Sequence, residues 1–244
     1  MQAAPQAYSV EALEQWKNSV RRMAAPHPRW EEATLGEVSA VFANVPFPLV
    51  NAFFAGTNVD DGVLTAVQEF AAARDVPWVM VALNGITPPG LEPAMSLTYM
   101  AADRLLPAVR QLPELEYRAI NSEAMAVLAW DINCDAYAMP RELGRTAASI
   151  QMWEKDATGS IGYLNGEPVT TATVIRSDGY RNVIMVATAE AHRRKGYAEA
   201  VMRKTLDAAG EGRTVLHATR DGFPVYQRMG YQPLAEMTVW SLSH

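Results

Sequence analysis

A predicted strand passes directly into a predicted helix at Val186-Ala187-Thr188-Ala189-Glu190-Ala191-His192-Arg193-Arg194-Lys195-Gly196-Tyr197-Ala198. The apolar run 182–187 has strand length, and apolar residues then recur at helical spacing from Ala198 to Ala209. A helix N-terminus is already positive, so the three successive cations at 193–195 are unfavourable unless an anion completes the site. Gly196 has no Cβ and lets a ligand approach the backbone. The junction therefore predicts a cradle for a phosphate-bearing ligand.

Two blocks of the sequence resemble those of a known family. Arg193-x-x-Gly196-x-Ala198 is similar to the acetyl-coenzyme A signature Arg/Gln-x-x-Gly-x-Gly/Ala of the GCN5-related N-acetyltransferases (GNAT). After a predicted strand at 213–219, Gly222-Phe223-Pro224-Val225-Tyr226-Gln227-Arg228-Met229-Gly230-Tyr231 resembles the family's Leu-Tyr-x-Lys-x-Gly-Phe block. The resemblance covers residues 116–244 and implies the acyl-CoA N-acyltransferase fold, an α/β (α+β) fold whose mixed twisted sheet is flanked by helices. One departure is Glu190, where the family often has proline.

Composition sets the broad class. The chain has 244 residues, 49% hydrophobic and 20% charged, which is typical of a globular protein. A formal net charge of -6 argues against non-specific binding of nucleic acid or anionic membranes. The single cysteine, Cys134, excludes an intramolecular disulfide, and the histidines lack ligand spacing, so no metal is expected. With no signal peptide and no apolar run of about eighteen residues, we expect a cytoplasmic protein with no membrane partner.

Periodicity and turn residues predict the elements of both halves. The first half is predicted to contain a helix at Val10–Met23 capped by Ser9, strands at Leu35–Phe42 and Leu49–Phe54, a helix at Asp60–Ala73, a strand at Trp78–Leu83, an irregular segment at 84–93 and a strand at Ser96–Met100. The second half is predicted to contain a strand at Tyr117–Ile120, helices at Ser122–Asp135 and Arg141–Trp153, strands at Ser160–Leu164, Val169–Arg176 and Arg181–Ala187, a helix at 196–209, a strand at 213–219, a helix at 222–229 and strands at Tyr231–Leu234 and Glu236–Leu242.

The first half is interpreted as a degenerate copy of the second. Its helix 60–73 and the strands after it correspond to helix 196–209 and its following strands at an offset of about 135 residues. Asp60 and Asp61 stand where the second copy has cations, which suits a helix start that binds no anion. We therefore expect a degenerate GNAT-like half at 1–115 and a catalytic GNAT domain at 116–244. The alternative is an unrelated α/β cap.

The resemblance assigns roles to the site residues. It implies that backbone groups of Val186, Ala187 and Thr188 bind the pantetheine arm, and that an amide in this stretch polarises the acetyl carbonyl. It implies that residues 193–198 bind the pyrophosphate, with the N–H groups of Arg194, Lys195, Gly196, Tyr197 and Ala198 as donors, beside Arg193. Tyr226 matches the tyrosine that protonates the departing thiolate, and a phenol with a pKa near 10 is a competent acid. Alternatively, Tyr226 only packs and the cations are a solvated helix start.

The general base and the acceptor pocket are less defined. No acid occurs in Arg181–Ala187, so the candidates are Asp178, His217 or water, and His217 could equally be a satisfied structural histidine. Asp131 and Asp135 share a helix face and could attract a cationic amine, or they are simply solvated. Trp130, Trp153 and Phe223 line either the pocket or the core.

The resemblance implies an N-acetyltransferase. It would move the acetyl group from acetyl-CoA to a primary amine of a small molecule by direct attack in a ternary complex, with a protein amine as the less favoured alternative. One alternative keeps the fold and uses a longer acyl-CoA, as do glycine N-acyltransferase-like enzymes. Another is a non-catalytic acyl-CoA sensor or interaction module. The expected partners are acetyl-CoA and an amine acceptor, not nucleic acid.

Overall fold

The computed structural model describes residues 5–112 and 114–242, with side chains from Tyr8 onward. This part of the chain forms a mixed α/β structure that divides into two compact units. Unit 1 contains the residues up to Met100, then 217–223 and those from Pro233 onward. Unit 2 contains Ala101–Leu216 and Pro224–Gln232. None of the helices in the described ranges is long and apolar enough to cross a membrane.

The elements are numbered along the chain. The helices are α1 Pro5–Ala24, α2 Asp61–Ala72, α3 Glu123–Ala136, α4 Arg141–Ala147, α5 Tyr197–Ala208 and α6 Phe223–Met229. Short 3-10 helices occur at Pro48–Val50, Ile150–Trp153 and Glu190–His192. The strands are β1 Glu31–Leu35, β2 Val38–Phe42, β3 Asn51–Ala55, β4 Val79–Leu83, β5 Leu91–Ala102, β6 Leu115–Ala119, β7 Ala157–Leu164, β8 Glu167–Ser177, β9 Tyr180–Thr188, β10 Arg213–Ala218 and β11 Gln232–Leu242.

The two units use the same order of strand pairings. Unit 1 has the strand order β1-β2-β3-β4-β11-β5, in which β1–β2 and β2–β3 are antiparallel and β3–β4 is parallel. Unit 2 has the order β10-β9-β8-β7-β6, in which β7–β8 and β8–β9 are antiparallel and β9–β10 is parallel. The parallel pair is joined by α2 in one unit and by α5 in the other, as a parallel connection requires.

The units are not divided by a single cut of the chain. The predicted boundary between 115 and 116 lies inside unit 2, which begins at Ala101. Most of β11 lies in unit 1, where Met237 to Trp240 pair antiparallel with Leu83 to Met80 of β4. Met237 and Val239 are buried there. The end of the chain therefore completes the sheet of the first unit, a long-range pairing that local patterns do not reveal.

Several predicted boundaries were wrong. α1 already includes Pro5, so Ser9 lies inside the helix and is not its cap. The single strand predicted at 35–42 is instead the last residue of β1, a turn and β2. Gly36 adopts a φ of 60° and turns the chain between these two antiparallel strands. The two closing strands predicted after Tyr231 are the single strand β11. β5 is also longer than the predicted Ser96–Met100.

Predictions based on side-chain chemistry were confirmed. Asp60 caps α2 by accepting from the Val63 N–H at 2.8 Å. Asn165 and Gly166 have φ values of 51° and 81°, and Asp178 and Gly179 have 50° and 80°. Two consecutive left-handed residues are what a tight two-residue hairpin needs, so both turns join their strands as predicted.

The core of unit 2 lies between its strands and the helices that pack on them. α5 packs on β7, β8 and β9, and α3 packs on β8 and β9. Buried apolar residues on these elements include Ile161, Val169, Ala172, Val174, Val183, Val201, Met202 and Leu206. This packing fixes the carboxyl end of β9 and the start of α5, where the candidate site lies.

Candidate active site

A notch opens between β9 and β10. Their parallel pairing runs from Tyr180–Arg213 to Val183–Leu216, whereas β9 continues to Thr188. Within the described ranges, no residue of β9 beyond Val183 pairs with β10. Residues 184–188 therefore lose their neighbour on one side, and their backbone groups can bind a ligand there. This unpaired end of β9 contains Val186, Ala187 and Thr188, whose backbone the family resemblance expects to bind the pantetheine arm.

β9 also carries a bulge inside this notch. Thr173 of β8 pairs with Ile184 and Thr171 pairs with Ala187, so Met185 and Val186 together face the single residue Ala172. Met185 has a φ of 51°, which is the left-handed region and costs a non-glycine residue roughly 1–2 kcal/mol. Bulges re-aim the backbone and often occur beside active sites. The bulge takes the Met185–Val186 peptide out of the regular ladder.

The end of β9 is held against β8. The Thr170 hydroxyl lies 2.9 Å from the Thr188 hydroxyl and donates to the Ala187 carbonyl at 2.8 Å. Ala187 and Thr188 are buried. Their side chains are thus structural, and a ligand in the notch would meet this part of β9 through its backbone.

The loop from β9 to α5 presents a concave set of amides. Arg194 and Gly196 adopt φ values of 62° and 94°, and α5 begins at Tyr197. The first helical bond runs from the Ala200 N–H to the Gly196 carbonyl. For the N–H groups of 194–198, no protein acceptor occurs in the part of the chain that is described. Alternating left-handed residues with free N–H groups at a helix start form an anion-binding nest.

The three predicted phosphate-binding cations do not share one role. Arg193 donates from Nε to the Thr188 carbonyl at 3.2 Å and from Nη2 to the Ala136 carbonyl at 2.7 Å. Lys195 donates from Nζ to the Ala191 carbonyl at 3.0 Å. Arg194 is exposed and has no hydrogen bond or ion pair to any described residue. Two cations therefore hold the loop together, and Arg194 alone projects without a protein partner among the described residues.

Gly196 is required by backbone conformation, not by crowding within the protein. A Cβ on it would meet only Leu112 Cδ1, at an ordinary 3.5 Å. Its φ of 94° is one that other residues rarely adopt. Tyr197 is buried with Leu115 and Val169, so its ring belongs to the core and only its amide faces the nest. Among the described residues, an added Cβ therefore has room above Gly196.

Tyr226 lies on α6. The side chain is half-buried, and its ring centroid lies 6.0 Å from that of Tyr231. No described residue forms a hydrogen bond with its hydroxyl. Its apolar surroundings, and then the neighbouring Tyr137 and Tyr231, raise the pKa of the phenol well above its usual value. The phenol therefore keeps its proton at neutral pH, so its hydroxyl can donate a hydrogen bond or a proton.

Neither named candidate base is at the bulge. Asp178 is exposed in the β8–β9 turn, seven residues before Met185, which is roughly 20 Å along a strand. His217 Nε2 lies 2.9 Å from the Ala12 carbonyl, and its ring packs against Trp16 and Tyr99. Burial lowers the pKa of His217 to about 4, so it is neutral. His217 is the satisfied structural histidine, as the alternative interpretation held.

The acids of α3 are paired with arginines of α4. Asp131 is only 7% exposed and accepts from Arg145 Nε and Nη2 at 2.9 and 2.8 Å. Asp135 accepts two bonds from Arg141, whose guanidinium holds the pKa of that carboxyl below its usual value. Neither carboxylate is simply solvated, since each is paired with an arginine, and Asp131 is also buried.

The aromatic candidates differ in burial. Trp130 and Trp153 are buried, and Trp153 Nε1 donates to the Thr173 hydroxyl at 3.0 Å. Both belong to the core of unit 2 rather than to an open pocket. Phe223 is half-buried at the start of α6.

Sequence reasoning missed Asn133. Its amide nitrogen donates to the Ala129 carbonyl at 2.9 Å and to the Met185 carbonyl, inside the bulge, at 3.4 Å. The side chain is 5% exposed. The available signal was an amide on the apolar face of a helix, because Ala126, Ala129 and Trp130 share that face.

Comparison with known proteins agrees with this geometry. The family model "Acetyltransferase (GNAT) family" matches residues 116–231. No curated protein sequence matches the chain. A GCN5-related N-acetyltransferase from Kribbella flavida aligns with a TM-score of 0.67 at 17% identity, over 94% of this chain and 95% of that one.

Two further solved structures share the fold across nearly the whole chain. A GCN5-related N-acetyltransferase-like protein from Streptococcus suis has a TM-score of 0.60 at 11% identity, covering 94% and 99% of the two chains. A tandem GNAT protein from the clavulanic acid biosynthesis pathway has a TM-score of 0.52 at 12% identity, covering 94% of each chain. With the signature loop, the unpaired end of β9 and the family match in agreement, residues 116–231 form a domain of the acetyltransferase (GNAT) family.

Proposed function

We propose that the chain is an acetyl-CoA-dependent N-acetyltransferase that acts on a primary amine of a small molecule. The observation that carries the proposal is the β9 notch, where the pairing with β10 stops at Val183 and a bulge follows at Met185. The nest at 194–198 lies directly beyond the end of that strand. A ligand with a phosphate group at one end and an extended polar arm fits this arrangement.

The chain's own groups supply three functions. The nest holds the pyrophosphate with N–H donors, and Arg194 adds a charge without a competing contact to the described residues. Exposed backbone of β9 near Val186 and Thr188 holds the pantetheine arm. The re-aimed N–H of Val186 polarises the acetyl carbonyl, which is stabilisation where negative charge develops. Acetyl-CoA itself supplies the activated thioester.

The reaction balances with one protein acid. The neutral amine nitrogen attacks the thioester carbonyl carbon, the C–N bond forms and the C–S bond breaks. The leaving thiolate takes the proton of the Tyr226 hydroxyl, which is later replaced from solvent. The amine gives its proton to water, because Asp178 is distant and the ring of His217 is engaged with the Ala12 carbonyl. The raised pKa of Tyr226 means that its hydroxyl is still protonated when the thiolate forms, but it also makes the phenol a weaker acid.

We further propose that unit 1 is a degenerate GNAT-like half. Its strand pairings repeat those of unit 2, with α2 in the place of α5. The start of α2 is Asp60 capping the Val63 N–H, with Asp61 following. A carboxylate occupies the position that a phosphate would need, so unit 1 binds no coenzyme and the chain binds one acetyl-CoA.

A screen tests the proposed activity. Small primary amines and peptides are incubated with acetyl-CoA, and with longer acyl-CoAs, while the released thiol is measured. Amine-dependent thiol release with an acetylated product supports the proposed acetyltransferase activity. Faster thiol release from longer acyl-CoAs would show that the acyl donor is a longer acyl-CoA and not acetyl-CoA. Tight acetyl-CoA binding with no release for any amine would favour the acyl-CoA sensor, which the absence of an acid from Arg181–Ala187 would also suit.

A further inference from the structure

Asn133 links α3 to the bulge of β9. Its Nδ2 donates to two backbone carbonyls, that of Ala129 one turn earlier and that of Met185. Two acceptors on one side of the amide fix which end faces β9, because the amide oxygen would be repelled there. At 5% exposure, the side chain has little freedom to turn away.

The bulge needs such a support. Met185 has a left-handed φ of 51°, and Met185 and Val186 together oppose one residue of β8. Regular ladder pairing therefore does not fix the peptide between them. A strained conformation of this kind persists only where the surrounding structure holds it in place.

The carbonyl of Met185 and the N–H of Val186 belong to the same planar trans peptide. The two groups point in opposite directions within that plane. When Asn133 holds the carbonyl toward α3, the Val186 N–H is directed away from α3. The direction of the proposed acetyl-polarising donor is thus set by a residue that does not touch the acetyl group.

We propose that Asn133 is a positioning residue that aims the Val186 N–H at the thioester carbonyl. The inference rests on the proposed function, because it requires the acetyl group to be bound at the bulge. Arg193 strengthens the same support, since it donates to the Ala136 carbonyl in the last turn of α3 and to Thr188 in β9. The end of α3 is therefore tied to β9 on both sides of the donor.

The test uses two variants and one matched control. N133A removes the amide, and N133D keeps its shape but loses the donor. C134A is the control, because Cys134 is buried on the same helix but faces Gly144 of α4 instead of the bulge. Each full-length protein is saturated with [1-¹³C]acetyl-CoA, and its carbonyl ¹³C shift is compared with that of the free ligand. Affinity for plain CoA and the melting temperature are measured alongside.

A donor aimed at the carbonyl should move its resonance downfield in the wild type and in C134A. In N133A and N133D that shift should fall by at least half, while affinity for CoA, which has no acetyl carbonyl, stays within twofold. With an active amine from the screen, kcat should fall by about tenfold, less than the full loss of an oxyanion donor. Either folded variant suffices if the other fails to fold.

The failures can be told apart. No downfield shift in the wild type would contradict the proposed donor at Val186, and with it the proposed function of the notch. A wild-type shift that N133A and N133D retain in full would overturn the role of Asn133 alone. A loss of shift in C134A equal to that in N133A would also overturn it, because general loosening of α3 would then explain the result.

Discussion

Arg193 donates from Nη2 to the backbone carbonyl of Ala136 at 2.7 Å, and from Nε to the carbonyl of Thr188 at 3.2 Å. The signature arginine therefore joins the end of α3, the end of β9 and the start of the α5 loop. It holds the nest in shape, whereas Arg194 next to it has no partner among the described residues. Substitutions of these two adjacent arginines should therefore have different effects, although their side chains are the same.

Replacing the two arginines in turn separates loop support from phosphate binding. R193Q should lower the free energy of unfolding by about 1 kcal/mol, because the carbonyls of Ala136 and Thr188 lose a charged hydrogen-bond donor. R194Q should leave unfolding unchanged and weaken acetyl-CoA binding by about fivefold, with a smaller dependence on salt. Urea titration and calorimetry at two salt concentrations measure both effects. If R194Q bound acetyl-CoA as tightly as wild type, the phosphate role of Arg194 would be wrong.

Gly196→Glu should abolish acetyl-CoA binding in a protein that still folds. The side chain would enter the space above the nest, and its charge would repel phosphates. The matched control is Gly166→Glu, because Gly166 has a similar φ of 81° and nothing within 4 Å of an added Cβ. Both variants incur the same backbone strain, about 1 kcal/mol. Equal affinities of the two variants would show that the nest is not the phosphate site.

Tyr226→Phe removes one hydroxyl that has no partner in the described structure and adds no volume. Affinity for acetyl-CoA and the melting temperature should barely change. Turnover should fall by about 10²-fold, mainly in kcat, because the thiolate charge develops only as the bond breaks. Both quantities are measured on one preparation with an active amine. A melting temperature that falls while kcat per folded molecule holds would make Tyr226 a packing residue.

The lowered pKa of His217 should make the folded protein less stable in mild acid. Its pKa is lowered to about 4 in the folded state from an ordinary 6.5. Above pH 6.5 the His217 imidazole is neutral in both the folded and the unfolded protein. Between pH 6.5 and 4 it takes up a proton only in the unfolded protein. Stability should therefore fall by up to about 3 kcal/mol as pH drops from 6.5 towards 4.

His217→Gln isolates this contribution, since it keeps a donor for Ala12 but does not titrate. The difference in unfolding free energy between wild type and H217Q should change between pH 7 and pH 4.5. Carboxylates with lowered pKa values, such as Glu31 beside Arg74, act mainly below that range. A constant difference across the range would mean that His217 is not buried as a neutral group.

The signature loop could be predicted because its chemistry is local. Cations at a helix start, Gly196 with a left-handed φ and the Asp60 cap of α2 each follow from a few neighbouring residues. The Asn165-Gly166 and Asp178-Gly179 turns were equally local, and so was the family block around Tyr226. Local chemistry was therefore sufficient to predict the fold and the conformation of this loop.

The remaining features depend on distant pairings. The bulge at Met185 can be recognised only from the pairing of β8 with β9, and no residue type in the sequence predicts it. Asn133 matters because α3 packs on β9, and Asp131 and Asp135 are neutralised by arginines of another helix. β11 joins unit 1 through its pairing with β4. Sequence patterns cannot show such contacts, since each needs the fold first.

Calorimetric titration of the full-length chain with acetyl-CoA tests the central claim most directly, alongside Gly196→Glu and the control Gly166→Glu. The account predicts a stoichiometry near one for wild type and for Gly166→Glu, and no binding for Gly196→Glu. A stoichiometry near two would place a second coenzyme at the α2 half. Binding that survives Gly196→Glu in a folded protein would contradict the assignment of the coenzyme to the β9 notch and the nest beyond it.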